Sequence, residues 1–415
     1  MKALALPTKT TRLDELGFVS RGRSRHRPRN DASLYGGEYP FFQTGDIKAA
    51  NLYLTEYTQT YSEAGLAQSK MWDKGTLCIT IAANIAETAI LGIPGCFPDS
   101  VVGFIPDPEK ADVRFIKYYI DILKLGMQSI SRGTTQDNMS VEKLMSFDFD
   151  VPDLPTQRKI AGILSAYDDL IENNLRRIKI LEQMAQSLYR EWFVHFRFPG
   201  HESAKFVDSA LGQIPKGWGV SDLENVTTKI GSGATPRGGK DSYKTDGIAL
   251  IRSMNIYDYS FEFDNLAFID RKQAAHLDNV SVEAQDVLLN ITGASVCRCA
   301  MVPSYLLPAR VNQHVAIIRA NTELVDPHFL LDSINSEQNK RTLFSLAQGG
   351  ATREALTKET ICRFQILLPP RDLIFRYGRI SGSMHTQREG LQRKNQTLRR
   401  TRDLLLPQLL SCGEK

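Results

Sequence analysis

The spacing of apolar positions changes twice along this chain, at matching places in its two halves. Up to about residue 150 the apolar residues fall in short runs between glycines and polar loops, and residues 39–47 and 75–82 read as strands closed by Gly or Asp. From Ile160 the period lengthens. Ile160, Leu164, Tyr167, Ile171, Asn174, Ile178, Leu181, Ala185, Leu188 and Trp192 recur at alternating spacings of four and three. That seam predicts a helix of roughly 50 Å packed as a coiled coil over about four to five heptads. Its polar member, Asn174, is the kind of residue that fixes register at a cost in stability. A helix of an up-down bundle is the alternative.

The pattern then restarts. Residues 248–256 and 286–293 read as strands, and Tyr377, Ile380, Met384, Leu391, Leu398 and Leu405 carry a second seam. Gln387, Lys394 and Thr401 interrupt it, and Gly378, Gly382 and Gly390 each weaken the helix by up to about 1 kcal/mol relative to Ala. Such a helix needs a partner, and the first long helix is the nearest one. Three sequence blocks repeat in register. RGTTQDNMSVEKLMSFDFDVPDLP matches QGGATREALTKETICRFQILLPP, KGTLCITIAANIAETAIL matches QDVLLNITGASVCRCAMV, and DSVVGFI matches NQHVAII. Two copies of one unit follow. The expected fold is α+β, with globular domains at residues 1–152 and 201–368. Two long helical segments, 153–200 and 369–415, would form an antiparallel coiled coil with pseudo-two-fold repetition.

Composition adds limits. The apolar start MKALALP is too short for a signal segment, and residues 77–93 include Asn84 and Glu87, a poor membrane span. A cytoplasmic protein with no membrane association is expected. Cys297 and Cys299 are too close for a zinc knuckle, and the cysteines read as reduced thiols.

The net charge of +4 is small, but its distribution is uneven. Arg21, Arg23, Arg25, Arg27 and Arg29 alternate along one segment, and Arg388, Arg393, Lys394, Arg399, Arg400 and Arg402 crowd the last helix. Such clusters fit a polyanion-binding surface, against the alternative of a solvated, mobile arm. The run GSGATPRGGKDS supplies Thr235, Arg237 and Lys240 in the corresponding place of the second half. It is not a phosphate loop, because Ala234 stands where Gly is needed and Asp241 where Ser or Thr is. Before each proline, Thr134, Thr135, Gln136 and Asn138, and then Thr352 and Arg353, suit phosphate and base contacts. Helix capping is their rival reading. Arg298 is a further candidate, with a plain surface strand residue as its rival. No G-x-S-x-G, HExxH or Asn-Pro-Pro-aromatic motif is present, and the seven histidines lack metal spacing. Catalysis by this chain alone is not expected.

ILEQMAQSLYREWFVHFRFPGHE (180–202), LRRTRDLLLPQLLSCGE (398–414), GSGATP and VNQHVAII carry a resemblance. Over essentially its whole length the chain resembles the DNA-specificity subunit of Type I restriction-modification enzymes. Two departures stand out: Cys412 interrupts a terminal phrase that runs from Ser to Gly in the family, and the distal seam has more defects than expected. The resemblance implies a non-catalytic subunit whose two target recognition domains each read half of a bipartite double-stranded DNA site. It implies that the helices set the spacing and dock methyltransferase subunits, with a restriction (translocase) subunit joining the complex. S-adenosylmethionine, Mg and ATP would sit on those partners and none on this chain. A stand-alone methyltransferase or nuclease, or a protein-binding scaffold, are the competing classes.

Overall fold

In the computed structural model, the described residues are 7–26, 28–82, 84–131, 139–349 and 354–410, with backbone alone for 125–131 and 240. The chain divides into two compact units. One comprises Met1–Leu175 with Arg393–Lys415, the other Arg176–Gln392. The division falls within both long helices, so each unit holds one globular domain and a stretch of each helix.

The domain of the first unit has two main sheets. One runs in the order Gly17–Arg21, Val101–Pro106, Leu77–Thr80, Thr88–Leu91, Tyr53–Leu54; the other runs Gln59–Tyr61, Tyr35–Phe41, Gly95–Cys96, Met71–Trp72. The second unit repeats the scheme. Its first sheet runs Thr227–Ser232, Val315–Ala320, Val287–Asn290, Cys299–Met301, and its second Ala267–Ile269, Ile248–Ile251, Ala309–Val311, Ser281–Val282. In each second sheet the central pair is parallel and its flanks are antiparallel. The apolar runs of Leu77–Thr80 and Val287–Asn290 are buried throughout, as strands covered on both faces must be. Two expected strands are shorter than read. Residues 39–47 leave the sheet at Phe41 because Asp46 caps a helix, Thr44–Ala49, by accepting from the Gln43 N–H at 2.8 Å. Residues 248–256 leave it at Ile251 for a 3-10 turn, Ser253–Asn255.

The central helix spans Leu154–Tyr189 and ends in a π turn, Arg190–Val194; the distal helix spans Arg371–Leu410. The central seam is as expected. Ile160, Leu164, Ile171, Asn174, Ile178, Ala185 and Trp192 are buried, with Leu181 and Leu188 half-buried. The distal seam needs correction. Ile380, Gln387 and Lys394 are exposed, while Tyr377, Ser381, His385, Arg388, Leu391 and Asn395 are buried. Met384, Leu398 and Leu405 are half-buried. At several turns the inner residue lies one position later than the apolar period suggests. It is polar there because a polar partner faces it. In the first unit Asn174 Nδ2 donates to Asn395 Oδ1 at 2.7 Å, and Arg402 pairs with Asp168. In the second, Arg388 lies 3.7 Å from Glu182, and the Tyr377 hydroxyl lies 3.4 Å from the Ala185 carbonyl. Both orders run antiparallel.

Candidate nucleic-acid interface

Sheet register brings the candidate loops together within each unit. In the first, Arg21 lies opposite Val102 and Thr80 opposite Val101, so the loops after Arg21, after Thr80 and before Val101 open at one end of the sheet. In the second, Ser232 opposite Ala316 and Asn290 opposite Val315 place the corresponding loops alike. The Gly22 N–H donates to the Val101 carbonyl at 2.8 Å, and the Gly233 N–H to the Val315 carbonyl at 3.1 Å. Neither glycine has room for a Cβ, which would lie 2.3 Å from the Pro98 oxygen or 1.9 Å from the Val311 oxygen. The arginine segment and GSGATPR are therefore the same loop in two copies.

Hydrogen bonds tie residues 22–26 of the arginine segment to the domain. The Arg23 N–H donates to the Phe97 carbonyl at 3.2 Å, the Arg25 N–H to Gln68 Oε1 at 2.7 Å, and Ser69 Oγ to the Arg23 carbonyl at 2.8 Å. Arg21, Arg23 and Arg25 are exposed around the buried Gly22, and their guanidinium groups have no hydrogen bond or ion pair among the described residues. Arg29 differs, because its Nη2 donates to both carboxylate oxygens of Asp99 at 2.8 Å.

The second unit places different groups on this frame. Thr235 Oγ1 donates to Gln313 Oε1 at 2.7 Å, Gln313 Nε2 lies 3.1 Å from His314 Nε2, and His314 Nδ1 lies 2.6 Å from Thr292 Oγ1. An amide nitrogen only donates, so His314 Nε2 accepts and Nδ1 carries the proton toward Thr292. The network joins three loops and was not read from the sequence, although Thr235 and the NQHVAII phrase both stood out. Arg237 is exposed, and its carbonyl accepts from Gln273 Nε2 at 2.9 Å. Lys240 belongs to a 3-10 turn, Gly239–Ser242. Arg298 precedes the strand Cys299–Met301, with its guanidinium 4.3 Å from the centre of the Tyr257 ring. It is therefore not a plain strand residue.

Arg27, Thr134, Thr135, Gln136, Asn138, Thr352 and Arg353 lie outside the described residues. Chain resumes after the latter two groups at the same end of each sheet. The Met139 N–H donates to the Ile81 carbonyl and the Leu356 N–H to the Ile291 carbonyl, each at 2.8 Å.

Two arginines of the distal helix are not available to a polyanion. Arg388 is buried beside Glu182 with the Tyr259 ring 5.7 Å away, and burial pushes its pKa below the usual guanidinium range. Arg402 is paired with Asp168. Arg399 and Arg400 remain exposed. Among the described residues no group of His, Cys, Asp or Glu could hold a metal ion, and no helix is long and apolar enough to cross a membrane.

A duplicated α+β domain, with different polar loops on a common frame and long paired helices after each copy, defines a two-domain architecture. Residues 7–183 match the family described as Type I restriction modification DNA specificity domain. The MjaIX specificity subunit of Methanocaldococcus jannaschii is 24% identical over 411 residues, covering 96% of this chain and 91% of that one. The HindI specificity subunit of Haemophilus influenzae is 22% identical over 339 residues, 68% and 72% of the respective chains. The crystal structure of a Type I system S subunit from M. genitalium shares the fold, with a TM-score of 0.64 at 14% identity over 99% of this chain and 97% of that one. Over almost its whole length the chain is similar to specificity subunits of Type I restriction-modification systems.

Proposed function

We propose that each unit reads one half of a bipartite duplex DNA site, while the helices fix the spacing and dock methyltransferase subunits. The observation that carries this is the pair of loop sets, held at one sheet end by the same glycine contact but bearing different side chains. In the first unit Arg21, Arg23 and Arg25 present exposed charge with no hydrogen bond or ion pair among the described residues, suited to phosphates and to salt-dependent affinity. In the second, Arg237, Arg298 and the Thr235–Gln313 pair offer fewer charges and more oriented polar groups. Residues 134–138 and 352–353 would add contacts from the neighbouring loops. For docking, the central helix exposes Ile163 and Leu170 in the first unit and Ile180 and Met184 in the second, apolar groups suited to a protein partner. The subunit is non-catalytic; S-adenosylmethionine would bind the methyltransferase subunits, and Mg and ATP the partner subunits that cut and translocate.

Domain exchange tests this reading. Replacing residues before Pro152 with those of a relative, then mapping the modified bases made by the assembled complex, should change one half of the recognised site. A change in both halves overturns the assignment of one unit to one half-site.

A further inference from the structure

We infer that Arg298 is a base-reading residue of the second unit, set by Tyr257 to recognise guanine; this rests on the DNA-reading function above. The backbone at this point is duplicated. Ala86 and Cys297 both take left-handed conformations, at φ 60° and 68°. The residue after each offers its carbonyl to the end of the central strand: Glu87 accepts from the Thr80 N–H at 2.9 Å, Arg298 from the Asn290 N–H at 2.8 Å. One frame thus holds an acid in the first unit and a base in the second. Glu87 is neutralised by Lys124 at 2.7 Å. Arg298 has no hydrogen bond or ion pair from its side chain among the described residues. Its guanidinium lies instead 4.3 Å from the centre of the half-exposed Tyr257 ring.

Contact through the face of a guanidinium leaves its in-plane N–H groups free. A flexible arginine that merely neutralised phosphate would gain little from such a platform. A fork held in one plane matches the O6 and N7 acceptors of guanine in the major groove. The loop also opens at the sheet end that carries Thr235 and Gln313. Opposite charges at one structural position are what two readers of different half-sites require.

The test uses the full-length chain with its modification subunits and a pool of duplexes randomised across the recognised site. The wild type must first select a bipartite sequence; failure there would overturn the DNA-reading function itself. Arg298→Lys keeps the charge and loses the fork. It should reduce preference for guanine at one position of one half-site by about ten- to a hundred-fold, with the salt dependence of binding unchanged. Tyr257→Leu should cause a smaller loss at that same position. If Arg298→Lys selects the wild-type sequence undiminished, or Arg298→Ala weakens all sequences equally, Arg298 is a phosphate contact and the inference fails.

Discussion

The two units join domain to helix with the same kind of buried polar contact, but with its members exchanged. In the first unit the acid is Asp168 on the central helix. It accepts from the Tyr118 hydroxyl at 2.5 Å and pairs with Arg402. In the second the acid is Asp332, on the domain helix Pro327–Asn335. It accepts from the hydroxyls of Tyr377 at 2.7 Å and Ser381 at 2.5 Å, and lies 3.0 Å from His385 Nε2. Counted from Pro152 and Pro369, Asp168 and His385 hold equivalent positions; counted from Asp112 and Asp326, so do Tyr118 and Asp332. Exchange has a consequence for assembly. Docking the second domain on the first unit's helices would bring Asp332 against Asp168, leaving Arg402 to serve two buried acids. A duplicated protein can confuse its halves, and opposed charge placement disfavours the wrong pairing.

The largest predicted effect breaks this contact. Asp332→Ala would take the carboxylate acceptor from buried His385, Tyr377 and Ser381, and Asp168→Ala would take it from Tyr118 and leave Arg402 with only the exposed Asp403. Each should cost about 3–5 kcal/mol in denaturant unfolding. Their acid responses provide a finer test for the second unit. Burial acts to raise the Asp332 carboxyl, but His385, Ser381 and Tyr377 hold it below its ordinary value. A carboxylate with a depressed folded pKa contributes stability above its unfolded pKa and loses it as pH falls through the folded value. Asp332→Asn should therefore flatten the loss of stability in acid. An unchanged acid slope would show that the cluster does not depend on the Asp332 charge.

A second comparison concerns the loop frame. Gly22→Ala and Gly233→Ala each drive a Cβ into backbone oxygen rather than a yielding side chain. Each should cost about 1–3 kcal/mol or more. Similar losses in both units would sharpen the equivalence. A silent Gly22→Ala would mean that the arginine edge can shift without disturbing the sheet.

Asn174→Ala should cost about 1–3 kcal/mol, because Asn395 Oδ1 would be left buried and unpaired. Replacing both asparagines with leucine should recover most of that loss in a double-mutant cycle. A cycle showing no coupling would remove this pair from the account of helix register.

How much of this was legible in the sequence follows from where the information lies. The central helix was readable because its inner face is mostly apolar, and apolar period is a local signal. The distal helix misled by one position because Ser381, His385, Arg388 and Asn395 face inward, and only their partners, distant in sequence, make that tolerable. Alternation exposed Arg21, Arg23 and Arg25. The equivalence of SRGRSRH with GSGATPR was suggested by place alone, and its cause is a backbone contact that residue types do not reveal. Gln313 with His314, and Arg298 on Tyr257, depend on loops that meet only after the sheets form.

The smallest effect separates two arginines of one loop. Arg25 has no ion pair among the described residues, whereas Arg29 shares its charge with Asp99 in an exposed pair, with side chains 51% and 39% accessible. Such a pair is worth roughly 0–1 kcal/mol, so Arg29→Ala should barely move the unfolding midpoint. Binding to duplex DNA is the sensitive measurement. If Arg25 neutralises one phosphate, Arg25→Ala should lower the slope of log affinity against log salt by about 0.9. Arg29→Ala should lower it by less, because Asp99 already offsets that charge in the free protein. Equal slopes for the two variants would mean that Arg29 leaves Asp99 for a phosphate on binding. The ion pair would then be a resting position of the loop, and the constant frame would end at Arg25.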